Sequence, residues 1–336
     1  MTNPLLEHHS KREGADETQS LLPIPRLPNS SRCAIHCKQS ARFSHGSSIS
    51  NTHQPEQRSS DNVILFHLGF RLPQDKSTLV QHLSSVRFVV LCGSFQRAHH
   101  IAKRFTSLKY LNHCHTDRYL LLQPLPSVLV AAHGIGTGSI DVLLHEIYNA
   151  LDAAGASNWC FIRIGTCGGL GVPPGTLVFT RRALSGDLKP SLRMFVLGEQ
   201  VRFPATLDSD LTNSLVSHGK AMYGSVCVHG DTLCAETFHI AQGRTDGAFV
   251  PYTEEQKLSY FRRCRSAGVV NLEMESLALA AFSSRVNVPA AVLCVVLVDR
   301  LEHETPVKQK HELGMFEERA IRLLVSYVLS HVTHAE

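Results

Sequence analysis

"CFIRIGTCGGLGVPPGT", residues 160–176, sets an arginine inside an apolar strand and follows it at once with a run of glycines. Short runs rich in β-branched and aromatic residues read as buried strands. Arg163 interrupts this one, and a buried charge is costly unless something pairs with it. The turn expected after the strand offers backbone N–H groups at Gly165, Gly168 and Gly169 and the Thr166 hydroxyl, a set that can wrap phosphate oxygens. A structural carboxylate on Arg163 is the competing account. In either case a strand running into a glycine turn marks the edge at which open α/β sheets bind ligands.

Outward from this stretch the pattern repeats from Val63 onward. Strands are expected at 87–93, 119–125, 128–134, 160–166, 176–184 and 290–298, and helices at 96–105, 138–154, 208–220, 253–267, 274–285 and 315–332. Strand alternating with helix predicts an α/β layered domain around a central sheet. Residues 1–60 are rich in Ser, His, Arg, Gln and Pro without an apolar period, and are read as a disordered extension before a single domain over 61–336.

Composition excludes several classes. The chain has 336 residues, 43% hydrophobic and 18% charged, with a formal net charge of +4 spread along its length. No basic block or basic–aromatic alternation points to nucleic acid. No apolar run approaches the roughly 18 to 20 residues that span a bilayer, and the N-terminus has no signal-peptide core. The 10 cysteines stand mostly alone in apolar runs, which predicts reduced core thiols and a cytosolic setting. "CAIHC" brings Cys33, His36 and Cys37 together, but no second pair at finger spacing follows, so no metal is expected. "HCH" at 113–115 and His99/His100 read as loop or helix residues.

Four further stretches carry candidate chemistry. In "LCGSFQR" (91–97) Gly93 stands at a strand-to-helix junction with Arg97 in the first helical turn, which suits an anion; a plain turn with a solvated arginine fits equally well. "AHGIGTGSI" (132–140) needs its glycines for close backbone approach at a helix start. In "ETFHIAQGRTDG" (236–247) Gln242 and Arg244 supply the donors and acceptor that read a heterocycle edge, with Phe238 for its face; taken alone, the stretch reads as a polar loop. In "NLEMES" (271–276) Glu273 and Glu275 open an apolar helix, where capping accounts for one of them; a carboxylate also reads a vicinal diol such as that of ribose, with Met274 against the sugar.

Together these stretches resemble the nucleoside phosphorylase superfamily, and within it the animal-type uridine phosphorylases. "TDRY", "HGIGTGSI", "IRIGTCGG", "PGT", "QGRTDGA", "YTEEQK" and "NLEMES" occur in that family's order and spacing over residues 62–334. The resemblance implies a three-layer fold with a central mixed β-sheet flanked by helices. It implies phosphate on Gly93, Arg97, Arg163 and Thr166, with Arg118 reaching the neighbouring subunit's site, and uracil on Phe238, Gln242 and Arg244 with support from Arg300. Ribose falls to Met274 and Glu275, supported by Glu273, and to His67, lent across a homodimer. The implied reaction is reversible phosphorolysis of uridine to uracil and ribose 1-phosphate in pyrimidine salvage, by a cytosolic pentosyltransferase that uses phosphate as co-substrate and neither metal nor organic cofactor.

Two departures bear on this. The family's first loop reads Gly-Gly-Ser-Pro-Ser-Arg, whereas this chain has Cys92, Gly93, Ser94, Phe95, Gln96 and Arg97. Asp299 replaces an asparagine before Arg300, and purine-specific relatives use an aspartate in this region. A purine nucleoside phosphorylase or nucleosidase of the same fold, or a catalytically weak uridine-binding paralogue, are the alternatives.

Overall fold

A computed structural model describes residues 63–105 and 118–332. The extension, with Cys33, His36 and Cys37, and the "HCH" stretch lie outside the described residues. The middle of the central sheet is parallel: β3 (Phe88–Cys92) lies between β5 (Val128–Ala132) and β6 (Cys160–Gly169), and β12 (Ala290–Asp299) runs alongside β6. β3 and β5 are buried at every position, which is why they read as unbroken apolar runs rather than as alternation. β4 (Leu120–Leu125) closes one edge antiparallel to β5. On the other side β7 (Leu177–Leu184) runs antiparallel to β12, followed by β10 (Cys227–Cys234) and β11 (Val269–Glu273). The eight strands therefore lie in the order β11-β10-β7-β12-β6-β3-β5-β4. β11 also pairs antiparallel with β6, so the sheet curls until this edge meets its own middle.

Helices cover both faces, giving three layers as expected. α1 (Lys76–Leu83), α3 (Thr137–Ala153) and α6 (Ser276–Val286) share one core with the sheet; α2 (Phe95–Ala102), α4 (Ser209–Tyr223) and α7 (Lys310–Val332) share the other. α5 (Glu254–Ser266) covers the curled edge, started by a capping box in which Thr253 and Gln256 exchange hydrogen bonds of 3.2 and 2.8 Å.

The departures from expectation fall near the ligand edge. β6 does not stop at 166 but runs to Gly169, so Gly165, Gly168 and Gly169 pair with Cys294, Leu272 and Asn271 instead of forming a turn. The helix expected from Met274 begins at Ser276, and Glu273 belongs to β11. β10, β11, α1, the hairpin β1–β2 (Ile64–Leu65 and Phe70–Arg71) and the hairpin β8–β9 (Ser191–Val196 and Glu199–Pro204) are elements the sequence pattern did not announce.

Candidate active site

β6 carries Arg163 into the interior, where it is 3% exposed. Its guanidinium folds back over Gly165: a Cβ there would lie 2.9 Å from both terminal nitrogens, so glycine is required. Nη1 lies 2.8 Å from Glu273 Oε2, and Nη2 donates to Glu275 Oε2. Cys294 Sγ stands 3.4 Å from Nη1. The two acids have different duties. Glu273 accepts the N–H groups of Glu275 and Ser276, each at 3.0 Å, and the Ser276 hydroxyl, so it is the carboxylate that caps α6. Glu275 accepts the Gly136 N–H at 2.5 Å and turns its second oxygen to Arg163. Gly136, at φ +85°, holds a backbone conformation that side-chain-bearing residues rarely adopt. Burial pushes the Glu275 carboxyl above the usual glutamate range despite Arg163, and the charge of Glu273 acts in the same direction. Burial alone would lower Arg163, but the two carboxylates outweigh it and keep the guanidinium charged.

The ends of β5, β3 and β6 lie side by side, with Cys92 in register with both Ala132 and Ile164. Gly93 and His133 therefore follow from adjacent strand ends. Ser94 caps α2 by accepting the Arg97 N–H at 3.2 Å, and Arg97 Nε donates to Glu317 at 3.3 Å. A Cβ on Gly93 would come within 3.8 Å of His133 Cε1 and 3.9 Å of Arg97 Nη1, so these groups converge on one point. His133 is fully buried, and burial together with Arg163 holds it well below the ordinary histidine range. Thr166 is half-buried further along β6. Burial pushes the Cys92 thiol up to about 11 and raises Cys167 as well, so both behave as packed thiols.

The loop from β10 to α5 holds Phe238, Gln242 and Arg244 together. Gln242 and Arg244 are buried, and the Arg244 guanidinium lies 4.6 Å above the half-exposed Phe238 ring. Arg244 is forked onto Asp246, with Nε to Oδ1 at 2.9 Å, and its carbonyl accepts the Tyr252 hydroxyl at 2.7 Å. Arg300 joins this loop from the end of β12: its Nη2 donates to Glu304 at 2.9 Å and to the Gly243 carbonyl at 3.4 Å. Glu304 also accepts Lys257 Nζ at 2.8 Å and the Thr245 N–H at 3.1 Å, tying the loop to α5. Gly168 of β6 packs directly beneath the Arg300 side chain, which joins this region to the strand of Arg163. Asp299 commits one carboxylate oxygen to the backbone: its Oδ1 accepts the Gly171 and Leu301 N–H groups at 3.0 and 3.1 Å.

His67 is bound to α3, and Arg118 precedes Tyr119, whose hydroxyl donates to the Ser139 carbonyl at 2.8 Å. The His67 ring bonds Glu146 of α3 at 2.7 Å, and the same carboxylate accepts the His67 and Leu68 N–H groups. The rings of His67 and Tyr119 meet edge-on at 6.0 Å, so His67 and the exposed Arg118 share one region of the surface. No group of three or more His, Cys, Asp or Glu side chains placed to hold a metal occurs among the described residues.

Sequence reasoning missed His133, Glu146, Asp246, Lys257, Tyr252 and Glu304. Glu146 and Glu304 act through partners far away in sequence, whereas His133, Asp246, Tyr252 and Lys257 lie inside the quoted "HGIGTGSI", "QGRTDGA" and "YTEEQK" and carried a local signal.

A buried arginine between two strand-end carboxylates, beside a loop presenting a glutamine and an arginine, agrees with the family comparison. The chain belongs to the phosphorylase superfamily, whose model matches residues 87–329. Within it, the chain is 35% identical to mouse uridine phosphorylase 1 over 274 residues, covering 79% of this chain and 87% of the relative. It is 31% identical to the inactive uridine phosphorylase B of Schistosoma mansoni, covering 83% of this chain and 95% of that one. The crystal structure of the uridine phosphorylase of Schistosoma mansoni in complex with uracil superposes with a TM-score of 0.75 at 31% identity, over 80% of this chain and 95% of that one.

Proposed function

We infer that this chain is a uridine phosphorylase, a pentosyltransferase that converts uridine and phosphate reversibly to uracil and ribose 1-phosphate. The observation that carries the reading is the Arg163–Glu273–Glu275 cluster, which joins an anion-binding arginine to a diol-reading carboxylate at one strand edge. Glu275 accepts hydrogen bonds from the ribose hydroxyls, Met274 packs on the sugar, and Glu273 holds both by capping α6. Gly93, Arg97, Arg163 and Thr166 bind phosphate on the face of C1' opposite the base. A phosphate oxygen forms the new bond to C1' as the C1'–N1 bond breaks. The electron pair passes to the base, where Gln242 and Arg244 stabilise it, with Phe238 at its face and Arg300 behind the loop; the base then takes a proton from solvent. Stabilising charge that develops in the transition state is often the largest catalytic contribution, and holding both reactants in line supplies another large share. These roles need neither a metal nor an organic cofactor.

Arg118 and His67 share a surface region, which supports a homodimer in which each chain lends them to its partner's phosphate and ribose. No helix among the described residues is long and apolar enough to cross a membrane, and we place the enzyme in the cytosol. A second reading, a uridine-binding paralogue with little turnover, is favoured by the inactive schistosome relative. One experiment separates the readings: uracil release from uridine with and without phosphate, run beside inosine. Phosphate-dependent release faster than from inosine is expected. Release without phosphate would sink phosphorolysis, faster inosine turnover would sink the base assignment, and binding without release would establish the paralogue.

A further inference from the structure

We propose that His133 is an additional phosphate-binding residue whose imidazole accepts the P–OH hydrogen of monohydrogen phosphate, thereby turning an unprotonated oxygen toward the sugar. The inference rests on the phosphorolysis reading and adds a residue which that reading does not use. His133 is fully buried, and neither ring nitrogen reaches a partner at full hydrogen-bond distance and angle among the described residues, the Gly134 backbone lying beside the ring. Buried polar atoms are nearly always partnered, so two orphaned nitrogens in one ring call for a ligand. The ring follows β5 beside the end of β3, with its Cε1 and Arg97 Nη1 both within 4 Å of the space above Gly93, where the anion belongs.

The two arginines assigned to that space lack one function, and the acceptors beside them are the Gly134 carbonyl oxygen, 3.2 Å from where a Gly93 Cβ would stand, the Thr166 hydroxyl and His133. Arg97 and Arg163 are donors only. They can satisfy phosphate oxygens but not the single hydroxyl hydrogen that the dianion carries. A neutral imidazole has an acceptor nitrogen, and burial beside Arg163 keeps this ring neutral. Were the hydroxyl to face C1', the wrong oxygen would be presented for attack; an acceptor on the far side prevents this. Because the ring is enclosed, the proposal includes a local opening of the space above Gly93 that brings the anion to it.

Sulfate has the charge and shape of monohydrogen phosphate without the hydroxyl hydrogen, and so isolates the contact. Binding of phosphate and of sulfate to the full chain is measured by titration calorimetry for wild type, His133→Leu and His133→Gln. Losing an acceptor for a buried hydroxyl predicts about 10-fold weaker phosphate binding in His133→Leu. Sulfate affinity should change less than about 2-fold, and His133→Gln, which retains an acceptor, should recover most of the loss. Equal weakening of both anions, or of neither, overturns the proposal. If the leucine chain does not fold, the wild type decides: preference for phosphate over sulfate of about 10-fold is expected, and equal affinity overturns it. Anion binding is read without nucleoside turnover, so a chain that prefers phosphate yet releases no uracil would count against phosphorolysis and not against the His133 contact.

Discussion

Glu275 meets Arg163 and the Gly136 N–H where a strand, a second strand and a helix start converge, at 5% exposure, whereas Arg244 presents itself from a loop whose Phe238 is 46% exposed. The phosphate and sugar side is thus fixed by the sheet itself: to move Glu273, β11 or the first turn of α6 must move with it. The base side is fixed by a relay of side chains, Arg300, Glu304, Lys257 and Tyr252, that bonds the loop to β12 and α5. The contrast places the tolerances of the site. The sheet-built half transmits any change into stability, while the relay-built half can adjust, as base recognition requires when a substrate enters and a product leaves.

Arg163→Ala is the most severe way to break the first half. It strands two carboxylates without their cation, and removing one partner of a buried ion pair costs about 3–5 kcal/mol. It also removes a donor to phosphate, for which a loss of roughly 10²–10³ in kcat is expected. Thermal unfolding and phosphorolysis rates check the two effects. A folded, active variant would show that the cluster neither supports the fold nor binds the anion.

The two acids sharpen the same contrast. Glu275→Ala removes the sugar contact and should cost about 100-fold in kcat/KM for uridine. Glu273→Ala removes both a helix cap and one carboxylate of the buried Arg163 pair, and should show mainly as lost stability of about 3–5 kcal/mol, with the smaller loss of activity. Steady-state kinetics beside denaturant unfolding decide; a larger kinetic loss for Glu273 would reverse their roles.

The relay half is tested at Glu304. Glu304→Ala removes the acceptor shared by Arg300, Lys257 and Thr245, leaving Lys257 on Glu254 and Arg300 on the Gly243 carbonyl, and should raise KM for uridine about 10-fold while KM for phosphate stays within about 2-fold. A matching rise for phosphate would mean that the two halves are not held separately. Acid separates them as well. Burial would raise the Glu304 carboxyl, but Lys257 and Arg300 outweigh it and hold it below the usual range. Its contribution to stability is therefore complete above the ordinary glutamate value and is lost as pH falls through the lower folded value. Glu275 lies above the usual range. Its ionisation subtracts stability as pH rises between the ordinary and the raised value, yet its ionised form is the one that reads ribose. On acidification the sugar contact therefore fails before the base loop, and with the phosphate dianion held saturating the acid limb of kcat/KM for uridine is expected from Glu275. Glu304→Gln should leave that limb in place; a displaced limb would assign it to the base loop.

Arg163 shows why the first half was only partly legible in the sequence: a charge inside an apolar strand demands a partner, which reads as phosphate, whereas the structure pairs it with Glu273 and Glu275 of "NLEMES", the structural-carboxylate account. The glycines after it misled because their need is packing, not turning. A Cβ on Gly168 would strike Arg300 Cγ at 2.6 Å, and one on Gly169 the Val172 carbonyl oxygen at 2.4 Å, so a continuous strand requires them. β10 was hidden for a related reason. "CVHGDTLC" has a glycine and an aspartate at its centre, which read as loop until Arg181 and Arg182 are seen to clamp Asp231, at 2.9 Å for the Arg181 Nε bond, and Val270 to cover Gly230. The relay was illegible because Glu304 stands 59 residues from Thr245 and 47 from Lys257, with no periodicity to connect them.

Asp299 provides the smallest and most discriminating test. From sequence it raised the purine alternative, because an aspartate that donates a proton to a purine ring must face the base. In the structure Asp299 is 7% exposed and one carboxylate oxygen is committed to the Gly171 and Leu301 N–H groups, on the segment where β6 and β12 end together. A side-chain amide at this position would retain an acceptor oxygen for the same N–H groups. Asp299→Asn should therefore leave the ratio of uridine to inosine turnover within about 2-fold of wild type and cost about 1 kcal/mol or less in stability. Loss of inosine turnover alone would show that the carboxylate leaves its backbone partners to reach the base, and would make the base side purine-reading after all.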